Sequence, residues 1–556
     1  MIAGRPRTFA FAFYLVTALL TVGWYAVSDP SHVCACDGDA DTTAFMWGLG
    51  WWPHALVHGL NPFVSHYLFA PTGVNVARAA MIPAAAIVLS PVTALWGPLV
   101  SYNVLAVASP VLAAFTAYLL CRHIVGRELP ALAGGYLFGF GNYVLARAQV
   151  HANLTLVFLI PVAVLLVLRR LDRQISRRAY IGVLAALLVV QMGLSTEVLV
   201  TALAMAAAML VAARFLAAAS YGKRIDHLLG ESLIAGLIAA ALTAPFLYYA
   251  LIKGGVPSET GLAEGGMDLL NPIIPTHLIW LGHETFAQIS ATMQAGNFTE
   301  ADGYLTVPLA LAFLWWVARS RRRLLARLVA IAAVVSFIAS LGAHVHVAGV
   351  QTLALPYNWV AEWPIVRLLG PSRIAVYTSL AVAVGMAAWL AERPARRVAG
   401  AGRWLAVLLG MVLLFPYIGS HRWGTPPNVP ALFRTSAYRR YLQRDETVLV
   451  LPMGIYSNSA LWQAMTGFYF RMPEGYIARN PPPQFIGLKI DEELATGNAV
   501  NPSLLASFLR SHDVRHILIE QGALSYVPLV RQLYSLGFPL QNAGEMLIFR
   551  VPAGWS

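Results

Sequence analysis

Charged residues are scarce in this chain. They make up 12% of its 556 residues, about half the share of an ordinary soluble domain. That shortage, with a hydrophobic fraction of 58% and a mean hydropathy of +0.64, excludes a soluble enzyme, a disordered chain and a coiled coil. Cysteine is scarcer still. Three residues are too few for a disulfide scaffold or a four-ligand zinc site. Cys121 lies in an apolar block and is expected to be packed there. A bridge between Cys34 and Cys36 would close a very tight ring, so two free thiols are expected. There is no convincing internal repeat, and the tail carries neither a glycine-rich phosphate loop nor a Ser/His/Asp nucleophile motif.

What the chain has in abundance is apolar runs of about twenty residues, long enough to cross a bilayer core of roughly 30 Å. They fall at 8–27, 103–121, 130–147, 154–168, 179–194, 197–218, 228–252, 303–318, 325–343, 374–391 and 404–420, which makes an α-helical polytopic membrane protein of about 11 spans. The first run is too long for a signal-peptide core and no cleavage site follows it, so it reads as a retained helix with its N-terminus in the cytoplasm. The net charge of +12 belongs to arginines clustered in short loops (Arg169, Arg170, Arg173, Arg177 and Arg178 in one; Arg319, Arg321, Arg322 and Arg323 in another). Placing every such loop inside is self-consistent over the whole chain and leaves no call for a nucleic-acid partner. Residues 80–98 break the count. Pro83, Pro91 and Pro98 interrupt them, so they read as an interfacial or re-entrant hairpin.

The chain thus divides into a membrane domain over 1–420, with a first extracytoplasmic loop over 28–79, and a soluble extracytoplasmic tail over 421–556. In the tail, strand patterns at Thr447–Pro452, His516–Glu520 and Met546–Val551 alternate with helix patterns at Ser459–Met465, Pro502–Arg510 and Val527–Leu536, as in a small α/β domain.

The first loop is the richest in chemistry. Asp37, Asp39 and Asp41 fall within five residues. Such a cluster suits a divalent cation with oxygen ligands (Mg, Mn or Ca, on Asp37 and Asp39) and equally a general base. The helix after it carries Trp47, Trp51 and Trp52, a composition that suits a membrane interface. His54 and His58 share a face four residues apart, but no Glu stands beside His54 to complete a metalloprotease motif. Further along, His151 and Asn153 cap the outer end of one span, and Glu197 sits at the outer turn between two. An ionisable residue at the edge of an apolar run is a functional candidate by default. Arg367 and Arg373 lie on the outer side, against the positive-inside trend, where a guanidinium fork suits a lipid phosphate.

This pattern resembles the GT-C superfamily of integral-membrane glycosyltransferases. Asp37-Gly38-Asp39 looks like that family's loose D-x-D. Asp41 looks like the acidic position that opens the helix through Trp47 to His58. His58-Gly59-Leu60-Asn61-Pro62, His151-x-Asn153, Glu197 and Pro371-Ser372-Arg373 resemble a bacterial subgroup, as does Gly303-Tyr304-Leu305 after Glu300. The resemblance implies an enzyme of the bacterial cytoplasmic membrane that moves a sugar from a polyprenyl-phosphate donor to a glycan, lipid or protein acceptor outside, with inversion. In that picture Asp41, then Asp39, is the base, with Asp37 beside them. Arg373 and Arg367 meet the lipid phosphate, Glu197, His151 and Asn153 orient the sugar, and Trp47 and His54 belong to the substrate-binding loop. The alternatives are a lipid-linked glycan transporter and a non-catalytic cell-envelope assembly factor.

Overall fold

The computed structural model of the chain describes residues 6–38, 40–217, 219–253, 265–282, 286–293, 302–363, 366–394, 396–419, 423–477 and 489–555. Asp39, Glu300 and Arg5 lie outside the described residues. Six helices among the described residues are long and apolar enough to cross a membrane: Ser90–Val125, Ala152–Leu171, Arg177–Leu194, Thr196–Leu216, Tyr221–Leu242 and Pro371–Ala391. Three shorter apolar helices accompany them, Pro6–Leu20, Val307–Ser320 and Leu324–Ser340. Residues 80–98 do not make a further span. They form the short helix Pro83–Val88 and the opening turns of Ser90–Val125, which break at Gly97. Gly97 has φ 86° and ψ 171°, a conformation that side chains rarely adopt.

The chain packs as two compact units. One comprises Met1–Ser28, Val104–Thr243 and Glu259–Gly424; the other comprises Asp29–Asn103, Ala244–Ser258 and Thr425–Ser556. The tail therefore packs in one unit with the first loop.

In the first unit the hub is the helix Ala375–Ala391, buried at every residue from Ala375 to Leu390. A helix that is apolar all round belongs in an interior. It packs against Leu324–Ser340, Glu128–Gly139 and Val307–Ser320. Small residues let such helices approach closely. A Cβ on Gly139 would lie 2.4 Å from the Ala114 nitrogen, so no larger residue fits there. Hydroxyls tie the hub laterally: Ser336 Oγ to Thr378 Oγ1 at 2.7 Å, and Thr201 Oγ1 to Tyr377 Oη at 2.9 Å. By contrast, Thr196–Leu216 buries only 11% of its apolar window, which leaves that surface for lipid. The arginine-rich turns are not merely solvated charge. Arg170 holds Glu231 through two bonds of 2.7 Å, and Arg122 and Arg323 pair with Glu128 and Glu392.

In the second unit a four-stranded sheet runs in the order Thr447–Leu451, Val514–Glu520, Met546–Arg550, Leu540–Asn542. The first pair is parallel and the others are antiparallel, with Val448 opposite His516 and Leu518 opposite Ile548. The helices Lys489–Thr496, Pro502–Ser511 and Val527–Ser535 cover the sheet through Leu494, Leu505, Leu509, Leu529 and Leu533. The helix Ser459–Met465 packs on the first-loop helix Ala40–Val57. The Trp47 indole N–H donates to Gln463 Oε1 at 2.8 Å, and Gln463 Nε2 donates to the Tyr67 and Phe470 carbonyls. Trp47 and Trp51 stack at 5.3 Å, with Phe468 edge-on to both. The membrane-interface expectation for these tryptophans is thereby corrected. Trp47, Trp51 and Trp52 are all buried, because the tail supplies the apolar surface that lipid would otherwise provide. The two thiols expected free are also corrected: Cys34 and Cys36 are disulfide-bonded with their Cα atoms 5.1 Å apart, a separation the bond readily spans.

Gln463→Leu should leave the Trp47 N–H and the Phe470 carbonyl without the bonds they make to Gln463, and the Tyr67 carbonyl with the Met472 nitrogen alone, at a cost of about 2–4 kcal/mol. Thermal melting of the purified protein should drop measurably, and an unchanged midpoint would contradict the bracing role.

Candidate active site

The second unit presents the first-loop carboxylates. Asn103 accepts from the Ala35 nitrogen at 2.8 Å and donates to the Pro30 and Val33 carbonyls. Cys34 pairs with Thr425 through two backbone bonds. These contacts deliver the chain to the start of Ala40–Val57, where Asp41 stands in the first turn. A helix N-terminus favours an ionised carboxylate. Asp41 is half-buried and its Oδ1 accepts the Tyr476 hydroxyl at 2.7 Å. Tyr102 is buried within electrostatic reach of Asp37 and Asp41, and its own hydroxyl has no hydrogen-bond partner among the described residues. Among the described residues no group of three or more His, Cys, Asp or Glu side chains is placed to hold a metal ion. Of the two carboxylates expected to hold a divalent cation, Asp37 is described and Asp39 lies outside the described residues.

The other sequence candidates in this unit stand apart from Asp41. Trp47 is wholly enclosed and its N–H is engaged by Gln463. His54 is thirteen residues along the helix from Asp41, about 20 Å at 1.5 Å per residue. It stacks on His58 at 4.2 Å beside a cavity of about 440 Å³ that Thr93, Val57 and Phe468 also line. Burial, then the neighbouring His58, lowers its pKa to about 4 and keeps it neutral.

The first unit holds two ion pairs joined by consecutive residues. Arg373 donates to Glu197 Oε2 at 2.5 Å, and the Gly370 nitrogen donates to Glu197 Oε1 at 3.0 Å. Ser195 caps the helix that carries Glu197 by accepting from the Val198 nitrogen. The next residue back from Arg373, Ser372, accepts from Arg147 at 3.1 Å. Arg147 also donates twice to Asp302 Oδ2, at 2.6 and 2.9 Å, and both side chains are fully buried. The structure thus brings Glu197 and Arg373 together. Arg367 is half-buried in the turn Val366–Leu368, and His151 is half-buried before the short helix Ala152–Thr155. Asn153, on that helix, is buried with its Oδ1 unpartnered among the described residues.

Sequence reasoning missed Arg147, Asp302 and Gln149. Arg147 ends an apolar run, and a charge inside such a run was the available signal. Gln149 is fully buried with neither amide atom hydrogen-bonded among the described residues, and nothing in the sequence marks it. Tyr476 and Glu474 were missed as well. Glu474 is buried, accepts from the Gly454 nitrogen at 3.2 Å and leaves Oε1 without a partner. Burial, and secondarily Asp491, pushes its carboxyl up to about 8, while burial raises Asp491 to about 6.

The chain belongs to a family described as a domain of unknown function, DUF6311, whose model matches residues 11–415. No curated protein matches the sequence. Among solved structures, the arabinofuranosyltransferase AftD from Mycobacteria superposes with a TM-score of 0.61 at 14% identity over 99% of this chain and 40% of its own. The chain thus spans about two fifths of the length of AftD. An oligosaccharyltransferase from Archaeoglobus fulgidus superposes with a TM-score of 0.53 at 14% identity, over 94% of this chain and 70% of its own. The AglB oligosaccharyltransferase of the same organism, solved with an inhibitory peptide and a dolichol-phosphate, gives 0.51 at 14% identity over 93% and 70%. The fold is GT-C-like.

Two outcomes check the buried charges. Arg147→Met should strand Asp302 and cost about 3–5 kcal/mol, with most of the loss recovered in the double variant Arg147→Met with Asp302→Asn. Melting of the two variants in lipid measures this, and a harmless single variant would contradict the pairing. Glu474 binds its proton more tightly folded than unfolded. The stability it contributes is therefore complete below about pH 4.5 and is lost as pH rises through about 8. Melting temperature should fall over that window in the wild type and less steeply in Glu474→Gln; equal slopes would refute the assignment.

Proposed function

We propose that this DUF6311 member is a membrane glycosyltransferase of GT-C type. It transfers a sugar from a polyprenyl-phosphate donor to a glycan, lipid or protein acceptor of the bacterial cell envelope, on the extracytoplasmic face of the cytoplasmic membrane. The observation that carries this reading is Asp41, a half-buried carboxylate in the first turn of an enclosed helix, held by a phenol hydroxyl. Two sugar transferases of the same fold support it, one of them solved with a dolichol-phosphate. The Cys34–Cys36 disulfide supports an oxidising, extracytoplasmic setting for the first loop.

The chemistry is a single displacement. Asp41 takes the proton from the acceptor hydroxyl as that oxygen bonds to the anomeric carbon. The bond from the anomeric carbon to the phosphate oxygen breaks, and its electron pair leaves with the lipid phosphate. Arg373 and Arg367 are proposed from the resemblance as binders of a lipid phosphate, with Glu197 keeping the Arg373 guanidinium in one orientation. His151 and Asn153 are proposed to orient the sugar. The Asn153 Oδ1 without a protein partner supports such a role, since a buried amide oxygen calls for a donor.

Asp41→Asn should abolish transfer in a lipid-reconstituted assay with polyprenyl-phosphate sugars and envelope acceptors, while the yield of folded protein stays unchanged. Full retained activity would remove Asp41 from the base role.

A further inference from the structure

We infer that Tyr476, a residue of the C-terminal tail, is a positioning residue for the first-loop carboxylate, fixing Asp41 through the hydrogen bond from its hydroxyl. The inference rests on the reading of Asp41 as general base and extends that site to a part of the chain 435 residues away in sequence.

A base is effective only when its oxygen meets the proton along a set direction. An aspartate in the first turn of a helix has two side-chain torsions to settle. A donor at 2.7 Å on Oδ1 settles them, and it also favours the ionised carboxylate, the form that accepts the proton. Phenol suits this task. It donates without adding a charge, so it does not neutralise the base as an arginine would.

Tyr476 can serve only if it is itself held, and its segment is anchored at each step. The Met472 nitrogen donates to the Tyr67 carbonyl at 2.8 Å, and the Ala70 nitrogen donates to the Met472 carbonyl at 2.9 Å. Glu474 is buried on the Gly454 nitrogen. Gly475 lies against Leu68, where a Cβ would come within 2.7 Å of Leu68 Cδ2. The tail strip 472–476 is thus tied to the first loop at Met472 and Gly475 and to the tail itself at Glu474, and Tyr476 follows the Gly475 contact. The titratable groups around Asp41 include Asp37 on the same loop, Tyr102 and Tyr476.

The test is Tyr476→Phe in the full chain in lipid, with kcat and KM measured across pH beside Asp41→Asn. Phenylalanine keeps the ring and removes the donor. The expected result is a kcat about tenfold or more lower with KM within about twofold, since the loss falls on the transition state. Without the donor the Asp41 carboxylate is less acidic. The acid limb of the kcat profile should therefore move upward by about one pH unit. Tyr476→His, which restores an N–H donor, should recover part of the rate. A wild-type kcat and an unmoved acid limb in Tyr476→Phe, with Asp41→Asn inactive, would overturn the inference and leave the base assignment standing. A variant that only lowers the folded amount, with unchanged kcat per folded molecule and unchanged acid limb, would also overturn it, in favour of a purely structural tyrosine. An active Asp41→Asn would remove the base reading and this inference with it.

Discussion

The enclosure of the helix Ala40–Val57 by the tail is the constraint on which the carboxylate site depends. This helix is apolar on every side and carries a proline within it, so it has no solvent face on which to rest. It is stable because Ser459–Met465, Phe468 and the strip after it take the place of solvent. Gln463 meets one polar demand of the helix by accepting the Trp47 N–H, and the Pro62 carbonyl meets another by accepting the Trp51 N–H. Asp41 stands at the N-terminus of the same rod. Its position is inherited from that packing, and its orientation comes from Tyr476.

The first unit solves a different problem with the same economy of means. Bringing charge into an apolar helical body is costly unless each ion has its partner. Arg147 and Asp302 pair with each other, both side chains withdrawn from solvent. Ser372 and Arg373 are adjacent in sequence, yet one serves Arg147 and the other Glu197. The turn Pro371–Ile374 therefore ties two ion pairs to the N-terminus of the hub helix. A short polar turn ahead of a buried helix thereby has a structural role of its own: it fixes the end of the element around which the unit is packed.

Much of this organisation is legible in the sequence because it is local. Apolar runs and arginine-rich turns mark the helices, Pro83, Pro91 and Gly97 interrupt the run at 80–98, and the tail's strand and helix patterns lie close to the observed elements. Asp41 is visible as an acid at a helix start, and Glu197 as an acid at an outer turn. The pairings are not legible, because nothing local encodes them. Trp47 meets Gln463 across 416 residues, and Arg147 meets Asp302 across 155. The tryptophan helix illustrates the difficulty. A membrane-interface helix and a helix walled in by a distant domain carry the same residues, and only the partner tells them apart. The Cys34–Cys36 bridge is of the same kind, since ring size alone argued against a bond that the surrounding loop permits.

The proposed chemistry is a single displacement in which one carboxylate deprotonates the acceptor. The most direct measurement is the anomeric configuration of the product formed from a polyprenyl-phosphate sugar of defined configuration, read by NMR. One displacement at the anomeric carbon predicts a product of inverted configuration. A product that retains the donor's configuration would require two displacements and a covalent or substrate-assisted intermediate, and would contradict the role given to Asp41.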